Sequence, residues 1–110
     1  MSIKYNVVID QGADFSTTII LREANGAFTN LTGMIGASQF RKTYTASKFY
    51  TINVDFGARA NGELILSMSA NATNNVPAGR YVYDCELTDS GGKKIRAVEG
   101  IVTVTPQVTR

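Results

Sequence analysis

The stretch that decides the fold is Arg80-Tyr81-Val82-Tyr83-Asp84-Cys85-Glu86-Leu87-Thr88. Successive side chains of a β-strand point to opposite faces, so a strand with one buried face alternates apolar and polar residues. One face of this stretch carries Tyr81, Tyr83, Cys85 and Leu87, and the other carries Val82, Asp84 and Glu86. We therefore predict a strand over residues 80–88 with an acidic outer face.

The same period of two runs through the rest of the chain. Further alternating segments are residues 5–10, 14–22, 35–42, 49–56, 63–68 and 93–105. Asn25-Gly26 and Asn61-Gly62 supply residues that readily adopt positive φ, which predicts a hairpin at each. A tight turn is predicted over residues 89–92. Ser69 is placed to cap one helical turn that Pro77 prevents from continuing.

About seven short strands separated by turns are typical of a two-layer sandwich. We predict an all-β fold, an antiparallel immunoglobulin-like β-sandwich with one short helical turn. Residues 1–110 would form a single domain with extended terminal segments, and a small barrel is the alternative. The chain has no Trp and one Cys, so the disulfide and tryptophan of immunoglobulin domains are missing and the prediction concerns architecture alone.

The composition excludes several classes of protein. Hydrophobic residues make up 44% of the chain, which argues against disorder. A net charge of +2 is too small for a nucleic-acid-binding surface. No stretch approaches the roughly 20 apolar residues of a membrane helix, and residues 1–4 lead into alternating sequence and not into a signal peptide. We expect a soluble chain made in the cytoplasm, with no nucleic-acid or membrane partner.

Few residues offer reactive chemistry. The absence of histidine excludes Ser-His-Asp and Cys-His catalysis, and the single Cys85 falls on the apolar face of its strand, as a core thiol would. Acidic residues occur singly. Asp84 and Glu86 could recruit calcium together with Asp89, but their spacing matches no calcium loop. We predict no enzymatic activity and no catalytic, cofactor-binding or metal-binding residue.

Two local features complete the survey of the residues. Gly100 interrupts the last strand, which predicts a bulge or a close approach of backbone. A segment around residues 41–50 mixes basic and aromatic residues and so resembles a surface that binds single-stranded nucleic acid, but the near-neutral charge of the chain favours a solvated loop beside a core strand. These residues are Arg41, Lys42, Tyr44, Lys48, Phe49 and Tyr50.

Four segments carry a resemblance to a known family. They are residues 5–15 (YNVVIDQGADF), 30–33 (NLTG), 76–84 (VPAGRYVYD) and 98–110 (VEGIVTVTPQVTR). Across nearly the whole chain the sequence resembles small structural proteins of tailed bacteriophages. It is also similar to the N-terminal β-sandwich domain of baseplate upper proteins. In that domain an extended strand, a turn like the one at residues 30–33 and a hairpin that begins like residues 76–84 recur.

The resemblance implies a non-enzymatic virion protein, made in the cytoplasm of a bacterial host. It would act as an adaptor or attachment module at the tail or baseplate, with other virion proteins as partners and several copies in a symmetric assembly. A capsid decoration or cement protein on the phage head is the alternative. A carbohydrate-binding module is a third hypothesis, with Tyr81 and Tyr83 as stacking platforms if they face solvent. Open sheet edges of such a sandwich could add a strand from a partner. The terminal segments, residues 1–4 and 106–110, are expected to be the connectors, and one or both are expected to order only against neighbouring subunits.

Overall fold

The structure is a computed structural model that describes residues 3–108. The strands are β1 (Ile3–Lys4), β2 (Val7–Asp10), β3 (Phe15–Ile20), β4 (Ile35–Arg41), β5 (Tyr50–Phe56), β6 (Glu63–Met68), β7 (Gly79–Thr88) and β8 (Lys94–Thr105). A 3-10 turn (Arg59–Asn61) precedes β6, and the helix α1 (Ala70–Asn74) follows it. The all-β fold predicted from the sequence is confirmed. Within residues 3–108 no helix is long and apolar enough to cross a membrane.

The strands form one sheet that curls in the order β1-β8-β7-β4-β5-β6-β3, and β2 also pairs with β8. The corner of the sheet lies within β5. Its first residues pair with β4, with Ile52 opposite Ser38, and its last residues pair with β6, with Val54 opposite Leu66. Side chains from both halves of the sheet share one apolar core, which is the packing of a sandwich.

Strand β7 lies between β4 and β8 and supplies the centre of the core. Its predicted inner face is confirmed, because Tyr81, Tyr83, Cys85 and Leu87 are all buried. Burial of a large apolar side chain stabilises the fold by about 1.5–3 kcal/mol relative to exposure. The alternating residues of β7 therefore contribute much of the stability of this half of the sheet.

Two predicted connections are also confirmed. Ser69 caps α1, and its side chain accepts a hydrogen bond from the Ala72 N–H at 3.2 Å. The loop between β5 and β6 ends at Gly62, which has a φ of +70°. A Cβ atom there would collide with the Leu21 carbonyl oxygen, so glycine is required by both conformation and space.

The first two strands depart from the predicted antiparallel pairing. Strands β1 and β2 run parallel to β8, with Ile3 opposite Val98 and Val7 opposite Val102. Period-two alternation reports which face of a strand is buried, and it carries no information on the direction of the neighbouring strand. The parallel pairing was therefore not visible in the sequence.

The predicted hairpin at Asn25-Gly26 forms only in part. Gly26 adopts the expected positive φ, at +90°. However, the two arms meet in a single bridge between Arg22 and Phe28 and do not form a ladder. Strand β3 pairs instead with β6, which lies much further along the chain.

The described parts of the terminal segments contact their own chain. Ile3 and Lys4 form β1 within the same chain, and the Gln107 N–H donates to Gln11 Oε1 at 3.1 Å. That one or both segments order only against neighbouring subunits stays a prediction. Met1, Ser2, Thr109 and Arg110 lie outside the described residues.

Candidate functional site

The thiol of Cys85 is a core group, as predicted. Its side chain is completely buried. Burial, together with the nearby Asp84 and Glu86 carboxylates, raises the pKa of the thiol to about 12. A thiol that stays protonated at neutral pH and is closed to solvent cannot serve as a nucleophile.

The acidic residues considered for calcium do not converge. Asp89 Oδ1 accepts hydrogen bonds from the backbone N–H groups of Gly91 and Lys93, both at 2.9 Å, and so shapes the turn before β8. Asp84 Oδ2 lies 3.4 Å from Arg96 Nε. In residues 3–108 no group of three or more potential metal-binding side chains is placed to hold an ion.

The outer face of β7 is polar and partly desolvated. The Arg96 guanidinium contacts two carboxylates, that of Asp84 and that of Glu99, the latter at 3.8 Å. Burial raises the pKa of Asp84, and the positive charge of Arg96 opposes that shift. The pattern is that of a structural ion-pair cluster on a half-buried sheet face.

The basic and aromatic residues before β5 contact one another. Arg41 lies 5.0 Å from the Phe49 ring centroid, and its Nη1 donates to the Ala46 carbonyl at 2.5 Å. The ammonium group of Lys48 lies 5.5 Å from the Tyr50 ring centroid. These contacts stabilise the loop between β4 and β5. They agree with the prediction of a solvated loop beside a core strand.

The tyrosines considered as sugar platforms are closed to solvent. Tyr81 and Tyr83 are only 3% and 2% exposed. The Tyr81 hydroxyl donates to the Pro77 carbonyl at 2.6 Å, and the Tyr83 hydroxyl donates to the Tyr5 carbonyl. That basis for a carbohydrate-binding module is therefore wrong, because neither ring can stack on a ligand.

One margin of the sheet, formed by β2 on β8 and called here the closed margin, is fixed by polar contacts. Gly100 lets the Tyr5 carbonyl approach the backbone of β8, which confirms the predicted close approach. Asn6 Oδ1 accepts from the Ile101 N–H at 3.0 Å. The hydroxyl of the buried Thr73 accepts from the Gly12 N–H at 3.0 Å and ties the following turn to α1.

The margin at the other end of the strand order is formed by β3 and is called here the open margin; the side-chain contact that ties it to the closed margin runs from Thr17 Oγ1 to the Tyr5 hydroxyl, 3.1 Å away. In the described part of the chain β3 pairs with β6 alone. The Leu21 N–H donates to the Gly62 carbonyl, so the odd-numbered residues of this ladder face β6. The backbone N–H and C=O groups of Ser16, Thr18 and Ile20 consequently point away from the sheet.

The sequence of the open margin does nothing to protect it. Sheet edges in monomeric proteins are usually short or carry charges, proline or bulges that prevent pairing with another chain. Strand β3 reads Phe-Ser-Thr-Thr-Ile-Ile, without charge, proline or glycine. Thr and Ile favour extended structure, and Ile20 is 40% exposed. The open margin is therefore the best candidate for an interaction surface.

A groove separates the two margins. It encloses about 310 Å³ and runs between β2 and β3. The Tyr5 hydroxyl crosses it and lies 3.1 Å from Thr17 Oγ1. Since β2 and β3 are not hydrogen-bonded to each other, this groove marks the seam where the curled sheet stays unclosed.

The sequence predicted no catalytic, cofactor-binding or metal-binding side chain, and it predicted unpaired sheet edges without saying which strands would form them. It did not assign the open margin to β3, because Asn25-Gly26 suggested that the following segment would pair with that strand. The missing signal was available in part. The stretch from Phe15 to Ile20 is the uncharged, β-branched run that an unprotected edge requires.

Comparisons with known proteins support the fold and no more. No protein-family model matches the chain, and no curated protein matches it. An internalin-like protein of Listeria monocytogenes is similar in structure, with a TM-score of 0.53 and 16% identity over 94% of this chain and 28% of that one. A family 123 glycoside hydrolase from Clostridium perfringens has a TM-score of 0.43 and 12% identity over 97% of this chain and 23% of that one. The chain thus spans about a quarter of each of these proteins.

Proposed function

We propose that this chain is a non-enzymatic structural protein of a phage virion that acts as an adaptor or attachment module at the tail or baseplate. The open margin carries this proposal. An uncharged edge strand with outward-facing backbone groups can add a strand from another protein, and that mode of binding needs no reactive side chain. The proposal that the chain belongs to a virion rests on its sequence resemblance to structural proteins of tailed bacteriophages.

The state of the polar residues supports a structural role. Cys85 is buried and protonated, Asp89 shapes a turn, and Asp84 is paired with Arg96. Each of these groups has a role in holding the fold. What the described surface offers a partner is its shape and its free backbone edge.

The experiment is to purify virus particles from a culture that produces this chain from its own genome. Mass spectrometry would measure the copies of the chain per particle, and electron cryomicroscopy would locate its density. We expect the chain to be present in tens of copies or fewer, at the tail or baseplate. Hundreds of copies on the head would favour a decoration protein instead, and absence from purified particles would overturn the proposal.

A matched pair of variants tests the role of the open margin in assembly. Thr18→Pro removes an outward-facing N–H from β3, where proline is compatible with an edge strand. Val8→Pro makes the same change on β2, whose bonded N–H groups belong to alternate residues such as Tyr5 and Gln11. We expect Thr18→Pro to lower incorporation into particles while Val8→Pro leaves it near the wild-type level. Equal incorporation of the two variants would show that assembly does not depend on the open margin.

A further inference from the structure

The open margin is complementary to itself. Two copies of a strand related by a twofold axis run antiparallel, and hydrogen-bonded pairs then form between residues whose backbone groups face the axis. In β3 those are Ser16, Thr18 and Ile20, so even-numbered residues meet even-numbered residues of the second copy. We infer that β3 pairs with β3 of a second copy of this chain to form a closed dimer.

Charge fixes the register of that pairing. Asp14 lies just before β3 and Arg22 just after it, and they are the charged residues nearest to the strand on either side. If Thr18 lies opposite Thr18 of the second copy, Asp14 lies opposite Arg22 at both ends of the interface. Opposite charges and Thr-Thr pairs both stabilise neighbouring strands. A shift of two residues in either direction loses both charge pairs.

Both charged side chains are exposed and held near the required place. Asp14 Oδ1 accepts from the Ala70 N–H at 2.7 Å, which fixes the carboxylate beside the margin. The Arg22 guanidinium lies 4.3 Å from the Phe28 ring centroid and donates to the Gly26 carbonyl at 3.0 Å. A guanidinium has five N–H donors, so it can keep this contact and also bind a carboxylate.

The pairing uses up the open margin. Once β3 is joined to its copy, no second copy can add there, and the assembly stops at two. A strand pair of this length is small beside the roughly 1,200 Å² buried in stable interfaces, so the dimer is expected to be weak in dilute solution. Several copies held together in a particle would raise the local concentration and favour it.

This inference deepens the proposed function by naming the partner at the open margin, and it rests on that margin being used for assembly. The test is a disulfide trap in the purified chain. In the inferred register the Thr18 Cα atoms of the two copies lie about 5.5 Å apart, within the reach of a disulfide. Thr18→Cys should therefore form a covalent dimer under mild oxidation.

Ser16→Cys is the matched control. It has the same exposure class and the same strand face, but its two Cα atoms would lie about 14 Å apart along the strands. The native Cys85 is buried and contributes no cross-link in the folded chain. We expect Thr18→Cys to cross-link at least tenfold faster than Ser16→Cys. Equal rates for the two variants would overturn the inferred register.

Two further variants test the charges without a cysteine. Asp14→Arg replaces each attraction with a repulsion, and we expect it to weaken the dimer about tenfold in sedimentation velocity at high protein concentration. Adding Arg22→Asp to the same chain restores opposite charges and should restore the dimer. A double variant as weak as the single one, or a wild-type chain that stays monomeric at about 1 mM, would overturn the inference.

The two proposals fail in distinguishable ways. If Thr18→Cys does not cross-link but the chain is found in virus particles, the inferred dimer is wrong and the virion function stands. If the dimer forms but the chain is absent from particles, the dimer stands and the proposed function is wrong.

Discussion

At the closed margin the chain uses its polar side chains to bind itself, whereas at the open margin it leaves backbone groups exposed and its side chains uncharged. The Tyr5 carbonyl accepts from Tyr83, and Asn6 accepts from the backbone of β8. Strand β3 pairs with β6 alone in the described residues, and across the groove Thr17 Oγ1 lies 3.1 Å from the Tyr5 hydroxyl. This contrast is the basis for the proposal that β3 is the edge that joins a neighbour.

The largest effect is expected at Tyr83, which joins the core to the closed margin. Tyr83→Ala removes a buried ring and the hydroxyl that donates to the Tyr5 carbonyl, so we expect the free energy of unfolding to fall by on the order of 3 kcal/mol. Urea denaturation measures this change. Asp84→Ala, on the outer face of the same strand, is the control and should cost little. Equal losses would show that the faces of β7 are wrongly assigned.

A smaller effect is expected at Gly100, where β8 receives the entering chain. A Cβ atom there would lie 2.5 Å from the Tyr5 carbonyl oxygen and 2.9 Å from Asn6 Oδ1. Because backbone must move to relieve the clash, Gly100→Ala should cost about 1–3 kcal/mol. Gly91→Ala is the control, since a Cβ atom at Gly91 would meet its nearest neighbour at 3.4 Å. If thermal denaturation finds the two variants equally stable, the closed margin is looser than the structure indicates.

The smallest effect is expected at the open margin itself. Thr18 is exposed and lies on the face of β3 that points away from the core. Thr18→Lys therefore places a charge in solvent, and we expect the free energy of unfolding of the dilute chain to change by less than about 0.5 kcal/mol. Urea denaturation at low protein concentration measures this change. A loss above about 1 kcal/mol would mean that the open margin packs against its own chain.

Much of the fold could be predicted from local patterns. The alternation in residues 80–88 placed Tyr83 and Cys85 in the core, and Ser69 marked the start of α1. These features depend on neighbours in sequence. The parallel pairing of β2 with β8 and the corner within β5 depend on contacts between distant segments, which side-chain periodicity does not report.

The candidate site was less accessible to the same reasoning. The sequence predicted free sheet edges but also suggested that the terminal segments would be the connectors, and Ile3 and Lys4 instead pair with β8. An edge is defined by the absence of a neighbouring strand. Which strands lack a second neighbour becomes clear only when the whole order of the sheet is known, and here they are β3 at one end and β1 and β2, both paired with β8, at the other.

The most direct test of this account is amide hydrogen exchange, measured residue by residue in dilute and in concentrated protein. The account requires the Ser16, Thr18 and Ile20 amides to exchange rapidly in dilute solution and to become protected on self-association. The Val7 and Ile9 amides, which face β8, should be protected under both conditions. Protection of the β3 amides that is the same at both concentrations, whether high or low, would contradict the claim that the open margin is where this protein joins its neighbour.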